Sequence, residues 1–256
     1  MTQQEMMFLV PRKLKEIEEE YGVRVLYAAE SGSRAWGTSA EHSDFDVRFI
    51  YIRPRKEYLR LDPVRDVLEF PIEDGWDMSG WDLGKMLRLL YSSNSQIYEW
   101  FASPVVYVDD GFSQRIKPLL EACFSTKTAV HHYLHQEAMK MKQQKAELTK
   151  VKHYLYRFQH VAAATWILAH QAPPPVGFMK LMECLPEEAG RRALELLQLK
   201  TERQLLIPHD PWLDTWLQEE RDRIGGQAKQ LPKDPERDWE MLNSFFLAEL
   251  ERIGDL

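Results

Sequence analysis

The sequence predicts an α+β protein in which a small mixed β-sheet comes first and a helical part follows. Two observations lead to this prediction. Short apolar runs bounded by turn residues, which are typical of strands, occur in the first part of the 256-residue chain. From about residue 114 onward, apolar residues recur instead at the three- and four-residue spacing of helices. We therefore predict one domain over residues 1–110 and a helical domain over residues 111–256.

The first part is predicted to open with a helix over Glu5–Tyr21, where apolar residues fall on one face and Gly22 provides a natural stop. Four short apolar runs then predict strands, and two later runs at helical spacing predict helices. The predicted strands are Val23–Ala29, Phe45–Ile52, Val67–Phe70 and Trp76–Met78, and the predicted helices are Trp81–Leu90 and Gln96–Phe101. Pro54 closes the second strand because proline cannot donate to a strand ladder.

The second part is predicted to be almost entirely helical. Thr126–His170 has room for two long helices, and the proline-rich segment Ala172–Gly177 is the clearest break between helices. The later predicted helices are Met179–Cys184, Glu187–Leu199, Trp212–Ile224 and Asp234–Ile253.

The composition is that of a globular protein with a real core, since 44% of the residues are hydrophobic and 29% are charged. The formal net charge of −7 argues against a protein that coats nucleic acid non-specifically, because such binding depends on many phosphate contacts. Two cysteines, Cys123 and Cys184, are too few for a disulfide framework and fit a reducing compartment. The chain has no apolar run of about 18 residues, so we expect no membrane span and a cytoplasmic location.

Two aspartates on one face of the second predicted strand are the clearest chemical feature of the sequence. Asp44, Asp46 and Arg48 share this face because side chains alternate along a strand, and the opposite face is apolar. Two neighbouring like charges are costly to bury without a counter-ion. A divalent cation supplies one, and Mg²⁺ with a triphosphate is the usual occupant of a site made of carboxylate oxygens. We therefore predict that Asp44 and Asp46 bind Mg²⁺, with Mn²⁺ as an alternative ion.

A glycine–serine turn precedes this strand and supplies the complementary half of a phosphate site. Gly32 lets the backbone approach a phosphate closely, and the hydroxyl of Ser33 and nearby N–H groups can donate to it. Arg34 lies within the turn and Arg48 lies on the aspartate face, so both are candidate phosphate ligands. Each has an alternative role, because Arg34 could be a solvated loop residue and Arg48 could neutralise the carboxylates of the empty protein.

Together the two motifs resemble those of the DNA polymerase β-like nucleotidyltransferase superfamily, in which Gly-Gly or Gly-Ser is followed by an acidic, an apolar and a second acidic residue. A narrower resemblance, over roughly residues 20 to 180, is to bacterial and phage nucleotidyltransferases proposed for RNA repair. The matching strings are Gly32–Gly37, Ser43–Arg48, Gly80–Leu83, Glu99–Pro104 and Lys152–Tyr156. The resemblance implies a palm-like catalytic sheet followed by a helical domain.

The resemblance also implies a third carboxylate on a later strand beside the first two. Asp77 fits best, since Trp76 and Met78 on either side are core-type residues and Asp77 therefore points the other way. Asp82 and Glu69 are the rivals. Asp82 stands where a helix is predicted to begin, which is a common capping position.

A basic stretch in the second part is the remaining candidate. Five residues recur at three- and four-residue spacing, which predicts one face of a helix. They are Lys142, Lys145, Thr149, Lys152 and Tyr156. That face is either solvated or the wall of a groove that holds triphosphate or a nucleic-acid backbone. The family resemblance singles out Lys152 and Tyr156 as nucleotide-binding residues.

The expected function is transfer of a nucleoside monophosphate from a nucleoside triphosphate such as ATP to an acceptor hydroxyl, with catalysis by Asp44, Asp46 and Asp77. The narrower resemblance favours an RNA or DNA 3′ end as acceptor, and a protein side chain or a small molecule is the alternative. A further alternative is an inactive nucleotide-binding or scaffold protein of the same fold. The sequence determines neither the base preference nor the oligomeric state.

Overall fold

A computed structural model of the chain describes residues 2–72, 75–142, 148–232, 234 and 237–254. It confirms the α+β class, because a five-stranded mixed sheet from the first part is combined with a largely helical second part. The strands of this sheet are β1 (Arg24–Glu30), β2 (Phe45–Ile52), β3 (Val67–Glu69), β4 (Trp76–Asp82) and β5 (Val106–Asp109), in the spatial order β3-β4-β2-β1-β5. Two further strands, β6 (Leu148–Lys150) and β7 (Leu206–Pro208), pair with each other.

The helices surround this sheet and form the second part. They are α1 (Gln3–Tyr21), α2 (Gly32–Ala35), α3 (Arg55–Tyr58), α4 (Leu83–Tyr91), α5 (Ser95–Phe101), α6 (Phe112–Cys123), α7 (Thr126–Lys142), α8 (Val151–His170), α9 (Phe178–Met182), α10 (Glu187–Thr201), α11 (Pro211–Gln230) and α12 (Trp239–Ile253). Among the described residues, no helix combines the length and the apolar character that crossing a membrane requires.

The strand directions bring three acidic residues to one end of the sheet. Strand β2 runs antiparallel to β1 and parallel to β4, so the last residue of β1 lies at the same end as the first residues of β2 and β4. Glu30 is that last residue of β1, and Asp46 is paired in register with Asp77. We call this end, defined by Glu30, Asp46 and Asp77, the carboxylate end of the sheet.

The two faces of the sheet are covered by different helices. Phe45, Val47 and Phe49 pack against α1, which confirms the predicted core face of β2. Ile50 and Ile52 face the opposite side, where they belong to a cluster with residues of α4, α5, α6 and α12. Because both faces are covered, polar residues of β2 are accessible only near its first residues, at the carboxylate end.

Strand β4 is longer than predicted and includes Trp81, so the apolar run at helical spacing from Trp81 becomes a helix only at Leu83, the residue after the predicted cap Asp82. The parallel pairing with β2 continues to the pair Tyr51–Asp82, and α4 begins only at Leu83. Gly80 permits this pairing, because a β-carbon at Gly80 would lie 2.1 Å from the ring of Phe49. Asp82 caps α4 as expected, since its side chain accepts from the Gly84 N–H at 2.8 Å.

Helix α8 is the centre of the second part, with α7, α10 and α11 packed around it. Its Arg157 is fully buried and donates to Glu137 of α7 at 2.7 Å, so an ion pair lies inside the helical core. The prediction of one basic helix face is wrong, because Lys142 ends α7, Thr149 lies in β6, and Lys152 and Tyr156 lie in α8. The pairing of β6 with β7, two strands far apart in sequence, explains the difference. Lys145 and the side chain of Lys142 lie outside the described residues.

The last helix returns to the first part of the chain. Leu242 and Leu250 of α12 belong to the same hydrophobic cluster as Leu87 of α4. Glu249 accepts from Arg115 of α6 at 2.6 Å, which ties α12 to the helix that follows β5. Helix α12 therefore packs on elements that precede it by more than a hundred residues, and a domain division at residue 110 stays a prediction.

Candidate active site

Asp46 and Asp77 lie side by side at the carboxylate end, joined by Arg48. The two aspartates are register partners in parallel strands, so their side chains project from the same face of the sheet. Nη2 of Arg48 lies 3.2 Å from Oδ1 of Asp46 and 2.9 Å from Oδ2 of Asp77, and its Nη1 donates to the Asp77 carbonyl at 2.7 Å. The two carboxylates thus share one cationic partner in this structure, the guanidinium of Arg48.

The pKa of Asp46 reflects burial and the carboxylates that lie close to it. Burial raises the pKa of Asp46, the neighbouring Arg48 lowers it, and the charges of Asp77 and Asp44 raise it further. The net pKa shift is upward, because the cation does not fully offset burial and the other carboxylates. An additional cation near Asp46 would therefore be favourable.

Asp44 stands at the edge of this group. It is exposed, precedes β2, and faces Gly75, where an added β-carbon would lie 3.8 Å from its Oδ1. Its charge reaches Asp46, but among the described residues no three histidine, cysteine, aspartate or glutamate side chains converge as a complete metal site. The structure therefore unites Asp46 with Asp77 and leaves Asp44 beside them.

The glycine–serine turn is in close contact with Asp46. Gly32 has φ of +55°, in the left-handed region, and a β-carbon built on it would lie 2.0 Å from Oδ2 of Asp46. The Ser31 N–H donates to the Asp46 carbonyl at 2.7 Å, which fixes the start of the turn on β2. Ser33 follows in α2, and its carbonyl accepts from the Thr38 N–H at 2.8 Å. The turn and the carboxylate pair thus form one surface.

Arg34 supports the loop that carries Asp44. Its guanidinium lies over the ring of Phe45, 3.7 Å from the centroid. It also donates to the carbonyl of Ser43 at 2.7 Å and to that of Asp44 at 3.1 Å. This placement gives Arg34 a positioning role for the loop, whereas the sequence predicted a phosphate contact, which stays a prediction.

Glu30 is a site residue that sequence reasoning missed. It is fully buried, accepts from the Asp46 N–H at 2.8 Å and also accepts from the hydroxyl of Tyr107. Burial is the main reason that the pKa of Glu30 is raised. The sequence offered one signal for Glu30, namely a carboxylate directly between a buried strand and the turn. The hydrogen bond from the Asp46 N–H to Glu30 fixes the backbone of Asp46 on the neighbouring strand.

Tyr156 of α8 faces the carboxylate end from the helical part. Burial raises the pKa of its phenol, and the charge of Asp46 raises it further, so the two side chains are electrostatic neighbours. Nζ of Lys140 lies 5.3 Å from the centroid of the Tyr156 ring. Lys152, one helical turn before Tyr156, is exposed. The structure thus brings Tyr156 within electrostatic reach of Asp46, and a nucleotide-binding role for Tyr156 and Lys152 stays a prediction.

The rivals for the third carboxylate lie elsewhere. Asp82 is at the other end of β4, where it is buried and accepts from the hydroxyl of Tyr58 at 2.7 Å. Glu69 is exposed on β3 and pairs with Arg65 at 2.9 Å. Of the three candidates, only Asp77 lies beside Asp46.

Comparison with known proteins gives three results. A family model described as RlaP, RNA repair pathway DNA polymerase beta family, matches residues 6–248. An uncharacterized protein of Bacillus subtilis strain 168, YcgL, is 34% identical over 247 residues, which cover 94% of this chain and 95% of that protein. The crystal structure of a nucleotidyltransferase-like protein from Exiguobacterium sibiricum 255-15 aligns with 84% of this chain and 73% of its own, at 13% identity and a TM-score of 0.31.

Proposed function

Because this chain belongs to the RNA repair pathway DNA polymerase beta family, we propose that it transfers a nucleoside monophosphate from a nucleoside triphosphate to an acceptor hydroxyl. Asp44, Asp46 and Asp77 would hold Mg²⁺, and the turn at Gly32 and Ser33 would hold the phosphates. The observation that carries the proposal is the contact of this turn with Asp46, which is itself in register with Asp77. The proposed phosphate-binding turn is thus adjacent to the two carboxylates proposed to hold the metal.

The donor set suits a hard divalent ion. All three proposed ligands are carboxylates, which Mg²⁺ and Mn²⁺ prefer over nitrogen or sulfur donors. The ion pairs of Arg48 with both Asp46 and Asp77 support the proposal that this pair can hold a positive charge. When bound, divalent ions in such sites activate the attacking hydroxyl and stabilise the leaving pyrophosphate.

The residues of the chain have separate proposed tasks. Glu30 fixes the backbone N–H of Asp46, and the Asp46 carboxylate lies directly against Gly32, so this aspartate is preorganised. Asp77 has the more exposed side chain of the in-register pair, 33% against 23%, and in this proposal it accepts the proton of the acceptor hydroxyl. Arg48 is then available to contact a phosphate, since it lies on the same face.

A nucleic-acid 3′ end is the proposed acceptor. The family description names RNA repair. Three lysines, Lys140, Lys150 and Lys152, place their charges around His153 and lower its pKa, after the larger effect of burial. Among the described residues none of the three lysines has an ion-pair partner, although the chain as a whole is acidic. Such a local basic surface beside the site suits a polyanionic acceptor better than a neutral small molecule.

The test is pyrophosphate release with each of the four ribonucleoside triphosphates, Mg²⁺ or Mn²⁺, and RNA, DNA or the protein itself as acceptor. The wild type should release pyrophosphate with at least one nucleic acid, and Asp46→Asn should lower the rate at least about 100-fold while remaining folded. Asp62→Asn, which alters an exposed aspartate paired with Arg60, is the control and should act like the wild type. Equal rates in Asp46→Asn and the wild type would rule out the proposed site.

One observation favours a second candidate, a nucleotide-binding protein without transfer activity. Arg48 bridges Asp46 and Asp77, and Asp44 does not complete a three-carboxylate group with them. Calorimetric titration separates the two functions. Triphosphate binding without pyrophosphate release across all acceptors would support the second candidate, and release with any acceptor would exclude it.

A further inference from the structure

The end of helix α10 lies on the loop that follows the glycine–serine turn. Nζ of Lys200 donates to the carbonyl of Thr38 at 2.5 Å, across 162 positions of sequence. Thr38 in turn donates its N–H to the carbonyl of Ser33 at 2.8 Å. Thr38 therefore links the Lys200 ammonium group to Ser33 of the proposed phosphate-binding turn.

Lys152 of α8 supplies a second positive charge near Lys200. Helices α8 and α10 pack against each other, and the pKa of Lys200 is lowered by burial and, after that, by the charge of Lys152. Neither lysine makes an ion pair with a carboxylate within the described parts of the chain. Two like charges held together without a counter-ion are unfavourable, so the arrangement suits a bound anion.

Holding the loop that contains Thr38 does not by itself account for a lysine at position 200. Arg203 already holds the same loop, through Glu41 at 2.5 Å and His42 at 2.9 Å. An ammonium group has three donors, and the Thr38 carbonyl uses one of them. Lys200 thus has donors to spare for an anion beside the turn.

We propose that Lys200 and Lys152 form a phosphate-binding site next to the turn at Gly32 and Ser33. The proposal rests on the proposed function and adds to it a residue of α10 that no sequence motif marks. The phosphate belongs to the triphosphate tail of the nucleotide or to the backbone of the nucleic-acid acceptor, which share the same chemistry. The position beside the turn leads us to expect the triphosphate tail.

The first experiment measures binding of inorganic tripolyphosphate by calorimetry without divalent metal. Lys200→Met and Lys152→Met should each weaken binding about tenfold, the value of one charge-assisted hydrogen bond. Lys180→Met, at an exposed lysine of α9, is the matched control and should bind like the wild type. Circular dichroism checks that each variant is folded. If Lys200→Met fails to fold, Lys152→Met still tests the proposed pair, because the Lys152 side chain is exposed.

A second titration uses a short single-stranded oligonucleotide without a triphosphate. Weakened tripolyphosphate binding assigns the site to the nucleotide tail, and weakened oligonucleotide binding alone assigns it to the acceptor backbone. The proposal is overturned if folded Lys200→Met and Lys152→Met bind both probes like the wild type, or if the wild type binds neither probe.

The two proposals fail in different ways. Tripolyphosphate binding without metal does not require turnover, so loss of binding in the lysine variants would uphold the anion site even if no acceptor releases pyrophosphate. Conversely, turnover by the wild type together with unchanged binding in both lysine variants would uphold the proposed function and remove this site.

Discussion

Gly32 and Asp46 are in contact at the carboxylate end, so that a β-carbon at position 32 would lie 2.0 Å from Oδ2 of Asp46. Real β-carbons do not approach a carboxylate oxygen this closely, so any other residue at position 32 must move the turn or the carboxylate. The φ of +55° at Gly32 adds a second requirement for glycine. The relationship ties the shape of the proposed phosphate-binding turn to the position of Asp46.

Gly32→Ala should therefore lower activity by more than backbone strain alone explains. The left-handed backbone costs alanine about 1 to 2 kcal/mol, and the clash additionally displaces Asp46. Gly37→Ala is the matched control, since Gly37 in the same loop has φ of +69° and nothing within 4 Å of the added carbon. Thermal denaturation should show a larger stability loss for Gly32→Ala than for Gly37→Ala, and pyrophosphate release should show a larger activity loss for Gly32→Ala.

The contact itself can be isolated in a double-mutant cycle. In an Asp46→Ala background the carboxylate is gone, so Gly32→Ala should cost no more free energy of unfolding than Gly37→Ala does there. A cost for Gly32→Ala that is the same in both backgrounds would mean that the Asp46 contact has no energetic effect.

Arg48→Met should destabilise the metal-free protein and make it more sensitive to Mg²⁺. Without the guanidinium, Asp46 and Asp77 repel each other, and we expect a loss of about 1 to 2 kcal/mol for this partly buried group. An added divalent ion then replaces the missing charge. Thermal denaturation with and without Mg²⁺ should give a larger upward shift for Arg48→Met than for the wild type. Arg60→Met, which removes an arginine paired with Glu57 and Asp62 on the surface, should leave the shift unchanged; equal shifts in all three proteins would contradict the prediction.

Asp77 and Asp82 should give opposite results when replaced, because one lies in the site and the other supports the fold. Asp77→Asn should lower pyrophosphate release at least about 100-fold with little change in stability. Asp82→Ala removes the cap of α4 and the acceptor of the buried Tyr58 hydroxyl, for a loss of about 2 to 3 kcal/mol. Its activity per folded molecule should be retained. Full activity of Asp77→Asn would exclude that residue as the third carboxylate.

Glu99 should make stability depend on pH between about 4.5 and 7. Burial raises the pKa of this carboxyl from 4.5 to about 7, although Tyr133 at 2.7 Å and the Trp36 side chain donate to it. In that window the folded protein keeps a proton that the unfolded chain releases, so stability falls as pH rises.

Glu99→Gln cannot ionise, so it should lack this dependence. Relative to the wild type it should gain about 3 kcal/mol between pH 4.5 and pH 8. Thermal denaturation at a series of pH values measures the difference, and Glu69→Gln at an exposed position serves as the control. A difference between Glu99→Gln and the wild type that stays constant with pH would show that Glu99 titrates normally.

Several elements could be predicted because their signals are local. The bounds of β2, Phe45–Ile52, match the prediction, since alternating apolar residues and the following Pro54 are visible within ten residues of sequence. The capping role of Asp82 was likewise predictable from its place before an apolar helical run. Local signals gave a wrong prediction where a partner distant in sequence decides the conformation. Strand β6 is the example, because it is a strand through its pairing with β7.

The sequence by itself determined the α+β class, the alternation that puts Asp46 and Arg48 on one face of a strand, and the glycine–serine turn before them. Only the tertiary structure placed Asp77 beside Asp46, Glu30 behind it, and Lys200 on the loop at Thr38. The physical reason is the range of the interactions involved. Alternation, capping and turns arise between residues a few positions apart, whereas parallel strand pairing and helix docking join segments whose separation in sequence leaves no periodic pattern.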